Sequence, residues 1–321
     1  MGERRSLPPD LVVTGALNWD VNLFVKRLPR PGEEVVVEKV DRVPGGKGGN
    51  VSVAASRILG QRKVALLACV GKDEIGKKQV SILKQDGVDT SAVQTLTKLE
   101  SGQAYITVDE KGRNNIETHF GANAGLKRDH IMLPEVQNLF GNCRMMVVID
   151  PPRHVAGRIL SEGRRLRRSV LWHPGVLTRF GMKEFTGEME GLDYLVLNEH
   201  EALAFSGTRS LAESVAAFNK VAPKMRVIVT LGGKGFAFYD KEKQLKMKSV
   251  NQAKMGRKIV NTTGCGDAFV GAFAAYKVLG LTDIEALKHG NMAAALKAGR
   301  PETRGSPTRK ELEEFYQKYS A

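Results

Sequence analysis

Six short, nearly unbroken apolar runs recur along the chain, at residues 11–14, 64–70, 145–149, 170–172, 194–197 and 227–230. Each is strand-length, and residues at successive positions are apolar, so both faces of the strand must be buried. Between them lie segments with helical spacing. Val51, Ala54, Ala55 and Ile58 fall at i, i+3, i+4, i+7 and predict an amphipathic helix closed by Gly60. Phe269, Val270, Phe273, Ala274 and Tyr276 predict another, opening after Asp267. Alternation of this kind predicts an α/β fold, a three-layer α/β/α sandwich around a central, mostly parallel sheet. Residues 22–43 and 102–120 break the rhythm with alternating patterns and turns at 29–32 and 110–112. They are expected to form antiparallel hairpins, a small β-sheet lid over a cleft. No linker or repeat divides residues 1–321, which are expected to be one unit.

Composition removes several classes. With 42% hydrophobic residues the chain can build a large core, which excludes wholesale disorder. No apolar run approaches the roughly 18 residues that span a bilayer, and the amino end lacks a signal-peptide core. Cys69, Cys143 and Cys265 show no CxxC spacing, and the six histidines form no metal or triad signature. A cytoplasmic protein without a membrane partner is expected. The 49 Lys and Arg against 35 Asp and Glu, a net +14, favour polyanionic ligands. Arg158, Arg164, Arg165, Arg167 and Arg168 read as the solvated face of one helix. No nucleic-acid-binding module accompanies them.

Four glycine-rich places compete for a phosphate role. The first strand runs into Gly15-Ala-Leu-Asn18-Trp-Asp20 rather than GxGxxG, which argues against a dinucleotide site. Residues 71–78 nearly spell a P-loop, but Lys78 stands where a hydroxyl must ligate magnesium, and Asp73 and Glu74 would repel phosphate. That segment reads as a surface turn. Residues 45–50, GGKGGN, precede a helix and can bring backbone N–H groups to a ligand, though a hinge or tight turn fits them equally. Asn50 offers both a donor and an acceptor. Residues 261–269, NTTGCGDAF, place small residues before an apolar helix, an anion cradle. Asp267 in that company suits a general base beside a transferred phosphoryl group; the alternative is a helix cap.

The two glycine motifs resemble the signatures of ribokinase-like (PfkB-type) carbohydrate kinases. Four further segments match the family in order: Asn18-Trp-Asp20, residues 121–126 (GANAGL), residues 198–201 (NEHE) and residues 230–235 (TLGGKG). The resemblance implies an ATP-dependent phosphotransferase. Asp267 would be the general base toward a primary hydroxyl, and the N–H groups of Gly264, Cys265 and Gly266 the anion hole. Substrate hydroxyls would meet Asn18, Asp20, Gly45, Gly46, Lys47 and Asn50. Asp150 would be an acidic residue on the sugar side or else a helix cap. Asn198, Thr230, Gly232, Gly235 and Asn291 would line the nucleotide side. Mg2+ would bridge the phosphates, with Glu201 acting on it through water.

Three departures stand out. The resemblance implies a site for a monovalent cation such as K+, which Asn261 puts in doubt because it replaces an aspartate that helps the family build that site. Cys265 replaces an alanine; a thiol at a helix amino end can have a depressed pKa and be oxidisable, whereas the alternative is a small buried filler. Residues 299–307 differ from typical ribokinases and blur the rim of the nucleotide pocket. The resemblance also implies a homodimer through the lid. Ribose is the first-choice acceptor, followed by nucleosides (adenosine, cytidine, guanosine, inosine) and then fructose. A noncatalytic nucleic-acid binder on the same scaffold ranks last, because Asp267 and the glycine cradle are both retained.

Overall fold

The computed structural model describes residues 8–241, 243–250 and 258–319. Its strands are β1 Leu11–Gly15, β2 Asn18–Val25, β3 Val37–Gly45, β4 Val64–Gly71, β5 Val93–Leu96, β6 Gly102–Asp109 and β7 Asn114–His119. They continue with β8 Met145–Ile149, β9 Ser169–His173, β10 Tyr194–Asn198, β11 Arg226–Thr230, β12 Phe236–Tyr239 and β13 Gln244–Met247. The α-helices are α1 Lys47–Leu59, α2 Glu74–Gln85, α3 Arg128–Met132, α4 Pro134–Asn142, α5 Arg153–Arg165 and α6 Thr186–Met189. After them come α7 Glu199–Ser206, α8 Leu211–Val221, α9 Cys265–Val278, α10 Asp283–Ala298 and α11 Arg309–Tyr319.

All six apolar runs lie in the main sheet, whose order is β13-β12-β11-β10-β9-β8-β1-β4-β5. From β11 to β5 every pairing is parallel, and β12 and β13 add an antiparallel edge. Burial on two faces follows from the pleat, as predicted. Leu11 and Val13 enter the core under α1, α9 and α10, while Val12 between them enters the core under α4, α5 and α8. Each fully buried Val or Leu contributes about 1.5–3 kcal/mol.

The α1 stripe is not one-sided. Val53, Ser52 and Ser56 are buried along with it, because α9 covers the outer face. The crossing is close: a Cβ on Gly271 would lie 2.6 Å from Ala54 Cβ. Helix α9 starts at Cys265, so Asp267 sits in its first turn rather than before it.

The lid is a separate sheet of order β3-β2-β6-β7. Its outer pairs are antiparallel, but β2 and β6 run parallel in the middle. It also begins earlier than expected: the β2–β3 ladder runs out to Asn18 opposite Gly45, so Asn18 and Asp20 are lid residues.

The arginine cluster is not one helix. Helix α5 ends at Arg165, and Arg167 adopts φ +55° in the following turn. Arg158 and Arg165 pair at 2.7 and 2.6 Å with Glu162, which is 1% exposed. The near-P-loop is a structural turn. Asp73 caps α2 at Gly76 N and also accepts from Ser101 N and Oγ, each at 2.7 Å. No helix among the described residues is long and apolar enough to cross a membrane.

Candidate active site

A cleft of about 1050 Å³ opens where the parallel strands end. Open α/β sheets bind ligands at this edge, because strand carboxyl ends and helix amino ends converge there. Gly15 at the end of β1, Asp150 after β8, Asn198 at the end of β10 and Thr230 at the end of β11 form its floor; Asp20, Ala104 and Thr118 of the lid form its roof. Every expected site residue lines the cleft except Gly45. Gly45 is instead the space into which the Asp20 carboxylate packs, since a Cβ there would overlap it.

Asp267 Oδ2 accepts from Asn50 Nδ2 at 2.8 Å. No side chain caps α9, and the N-cap Gly264 is left-handed at φ +81°, so Asp267 does not act as a cap. A Cβ on Gly264 would also run into Thr303 O. Burial raises the pKa of Asp267, opposed by the Asn50 hydrogen bond and the Lys47 charge. The cradle differs by one residue from expectation. Cys265 N–H donates to Thr262 O at 3.2 Å, while Gly264, Gly266 and Asp267 N–H meet no protein acceptor among the described residues. Those three groups are what α9 presents to an anion. Burial also raises the Cys265 thiol despite the nearby Lys297 charge, which removes the chemical basis for oxidation through a depressed pKa.

In GGKGGN both alternatives are realised. Gly46 takes φ +86° to turn into α1, and Gly49 leaves room for the Arg304 guanidinium, while Gly46, Lys47 and Asn50 face the cleft. Lys47 Nζ lies 3.2 Å from Asp150 Oδ2. Burial opposes its charge, but Asp150, Asp267 and Glu201 together hold the ammonium above its ordinary pKa. Asp150 is not a helix cap. It sits at φ +50°, accepts from Val176 N at 3.0 Å, and leaves the α5 N-cap to Pro152. A non-glycine in that region carries strain of roughly 1–3 kcal/mol, a pattern found at ligand sites.

Asp20 is 6% exposed, and burial pushes its carboxyl up to about 7; Arg304 pulls it back and Asp267 adds to the rise. Asn18 Oδ1 accepts from Asn123 Nδ2 at 2.9 Å, and Asn123 further clasps both backbone groups of Leu17.

On the other side of Asp267, Asn198 and Glu201 form a reciprocal capping box at 2.9 and 2.8 Å. The cap uses Glu201 Oε2, and Glu201 also lines the cleft. Thr230 Oγ1 donates to Leu197 O at 3.4 Å, Gly232 and Gly235 bound the turn after β11, and Asn291 Nδ2 donates to Lys248 O at 2.9 Å. Among the described residues no three His, Cys, Asp or Glu side chains form a metal cage.

Arg304 was not singled out from the sequence. It is 6% exposed and does not line the cleft; it is buried behind the first glycine motif, against Gly45, Gly49 and Asn50. It donates to Asn50 Oδ1 at 3.1 Å, Gly45 O at 2.7 Å and Gln79 Oε1 at 3.1 Å. Its guanidinium therefore joins the first glycine motif to α2, between Asp20 and Asp267. A single arginine in a divergent carboxy-terminal loop carries no local signal of such a role.

Residues 8–310 match the pfkB family carbohydrate kinase profile. The chain belongs to that family. It is 30% identical to ribokinase of Schizosaccharomyces pombe over 83% of this chain and 84% of that one. It is 29% identical to ribokinase of Haemophilus influenzae over 95% and 97%. The structure of Arabidopsis thaliana ribokinase complexed with ribose and ATP superposes with a TM-score of 0.84 at 26% identity, covering 96% of this chain and 98% of that one. This pfkB-family chain is therefore a sugar kinase, a phosphotransferase acting on an alcohol group, with the three-layer fold and separate small sheet that its sequence predicted.

Proposed function

We propose that this chain transfers the γ-phosphoryl group of ATP to the primary hydroxyl of ribose. The observation that carries the reading is the Asn50–Asp267 hydrogen bond. It holds a carboxylate of raised pKa at the open amino end of α9, in the cleft that Asp20 roofs. Full-length similarity to ribokinases supplies the acceptor.

In this mechanism Asn18, Asp20, Gly46, Lys47 and Asn50 hold the sugar, with Asp20 accepting from neighbouring hydroxyls. Asp267 takes the proton from the attacking hydroxyl at its carboxylate. The N–H groups of Gly264, Gly266 and Asp267 then stabilise the negative charge of the transferring phosphoryl, with no reorganisation at the moment of reaction. Thr230, Gly232, Gly235 and Asn291 hold the nucleotide. Glu201 would hold magnesium through water, and the ion would supply charge neutralisation at the phosphates. Lys47, paired with Asp150, supplies positive charge between sugar and phosphate. The lid keeps water out.

A homodimer through the lid belongs to the same reading. On the lid face away from the cleft, register places Leu23 beside Val40, with Tyr105 one row along. Val40 and Tyr105 are exposed, an apolar patch suited to a second copy. Sedimentation should give a dimer that Tyr105→Lys weakens; a monomer at all concentrations would exclude it.

ADP release is to be measured with Mg-ATP against ribose, fructose, adenosine, cytidine, guanosine and inosine. The expected result is the highest kcat/KM with ribose. A nucleoside preferred over ribose would overturn the acceptor, and no turnover with any of them would overturn the kinase reading.

A further inference from the structure

Lys297 lies on α10 with 0% exposure. Buried ammonium groups are rare and need compensation. Here the compensation is backbone: Nζ donates to Asn261 O at 2.8 Å and to Arg300 O at 3.4 Å. These two carbonyls flank the cradle. Asn261 opens the turn that ends at Gly264, and Arg300 follows α10.

The same turn is held by further bonds, to the end of α10, to the segment after it and within the turn itself. Val260 N and Asn261 N both donate to Ala298 O, Asn261 Nδ2 donates to Pro301 O at 2.8 Å, and Asn261 Oδ1 accepts from Thr263 N at 2.9 Å. Backbone carbonyls converging on a point are ligands for a monovalent cation. In this chain a covalently attached cation already occupies that point, and neutral Asn261 supplies no carboxylate to hold a second. The donor set therefore does not fit the K+ that family resemblance suggested.

We propose that Lys297 is a built-in monovalent cation, whose ammonium draws the carbonyls of Asn261 and Arg300 together and fixes the turn from which the open N–H groups of α9 project. Its role is positioning, and it rests on reading the amino end of α9 as the phosphoryl-binding end. Being tethered, the charge has no binding equilibrium, so the cradle is formed at any salt composition. Burial lowers the pKa of Lys297, and Cys265, Glu302 and Asp267 oppose that fall and favour the ammonium.

The test compares choline, sodium, potassium and ammonium chlorides at equal ionic strength. ADP binding by calorimetry and ribose turnover by wild type should agree across the four salts within about twofold, as expected when the stabilising cation is never released. Lys297→Ala should lose kcat by roughly tenfold or more, the scale of a disturbed anion hole, with KM for ribose little changed. Potassium or ammonium, but not choline, should restore part of its ADP affinity and turnover and raise its melting temperature. Severalfold activation of wild type by potassium would overturn the proposal, and that arm decides even if the variant does not fold. Wild-type turnover in a folded Lys297→Ala protein would overturn it as well. Absence of ADP binding and turnover by wild type in every salt would remove the kinase reading, and this inference with it.

Discussion

Asn50 and Asp267, 217 residues apart, meet through a 2.8 Å hydrogen bond across the α1–α9 crossing. That contact joins the two glycine motifs into one site. It also sets the protonation balance of the carboxylate, because the amide N–H favours the ionised form against burial.

Asp267→Asn should lose about 10²–10⁴ in kcat, the range for a positioned general base, while ADP binding and melting temperature stay near wild type. Steady-state ADP release with ribose checks the first point and calorimetry the second. A variant that turns over at the wild-type rate would remove Asp267 from the chemistry.

The acid limb of the kcat/KM profile follows from the raised pKa of Asp267. Activity should fall as pH drops through that value, with the inflection above the ordinary aspartate value of about 3.9. Asn50→Ala withdraws the donor that favours the carboxylate, so its acid limb should move to higher pH. Superimposable limbs in the two proteins would show that another group controls the profile.

Asp20 makes folding stability depend on pH. Its folded pKa of about 7 lies above the unfolded value, so the folded state binds the proton more tightly. Its contribution is fully present below the unfolded value and is lost as pH rises toward 7. The ceiling on that loss is on the order of 4 kcal/mol. Asp20→Asn should flatten the urea-derived stability curve between pH about 4 and 7. Parallel curves for the two proteins would exclude a raised carboxyl at this position.

Arg304→Met should destabilise the protein by about 3–5 kcal/mol, because it breaks a buried charged network and strands its acceptors. The carbonyl of Gly45, Oδ1 of Asn50 and Oε1 of Gln79 all lose their donor. Gly49→Ala should act in the same direction by forcing the guanidinium aside. Urea unfolding measures both, and a loss below about 1 kcal/mol in Arg304→Met would show that the network is solvent-compensated.

Much of the fold was legible because strand patterns are local. Residues 64–70 are apolar at every position, and a run that short fits a strand covered on both faces rather than a helix. The lid boundary was harder to read. Asn18 and Asp20 belong to β2; only Ala16 and Leu17 follow Gly15 before it, and the switch of sheet is set by pairing with Gly45 and Ala104. Asp150 was ambiguous for a different reason: its positive φ and its bond to Val176 N depend on a loop 26 residues away.

The sequence by itself determined the alternation of strands and helices, the two glycine motifs and the family they resemble, because each is written in residues that are neighbours or lie a helical turn apart. Only the tertiary structure decided that Gly45 and Gly49 make room for Asp20 and Arg304, and that Lys297 sits on the carbonyl of Asn261. These are contacts between elements far apart along the chain, and helix and sheet packing, which local periodicity does not encode, brings them together.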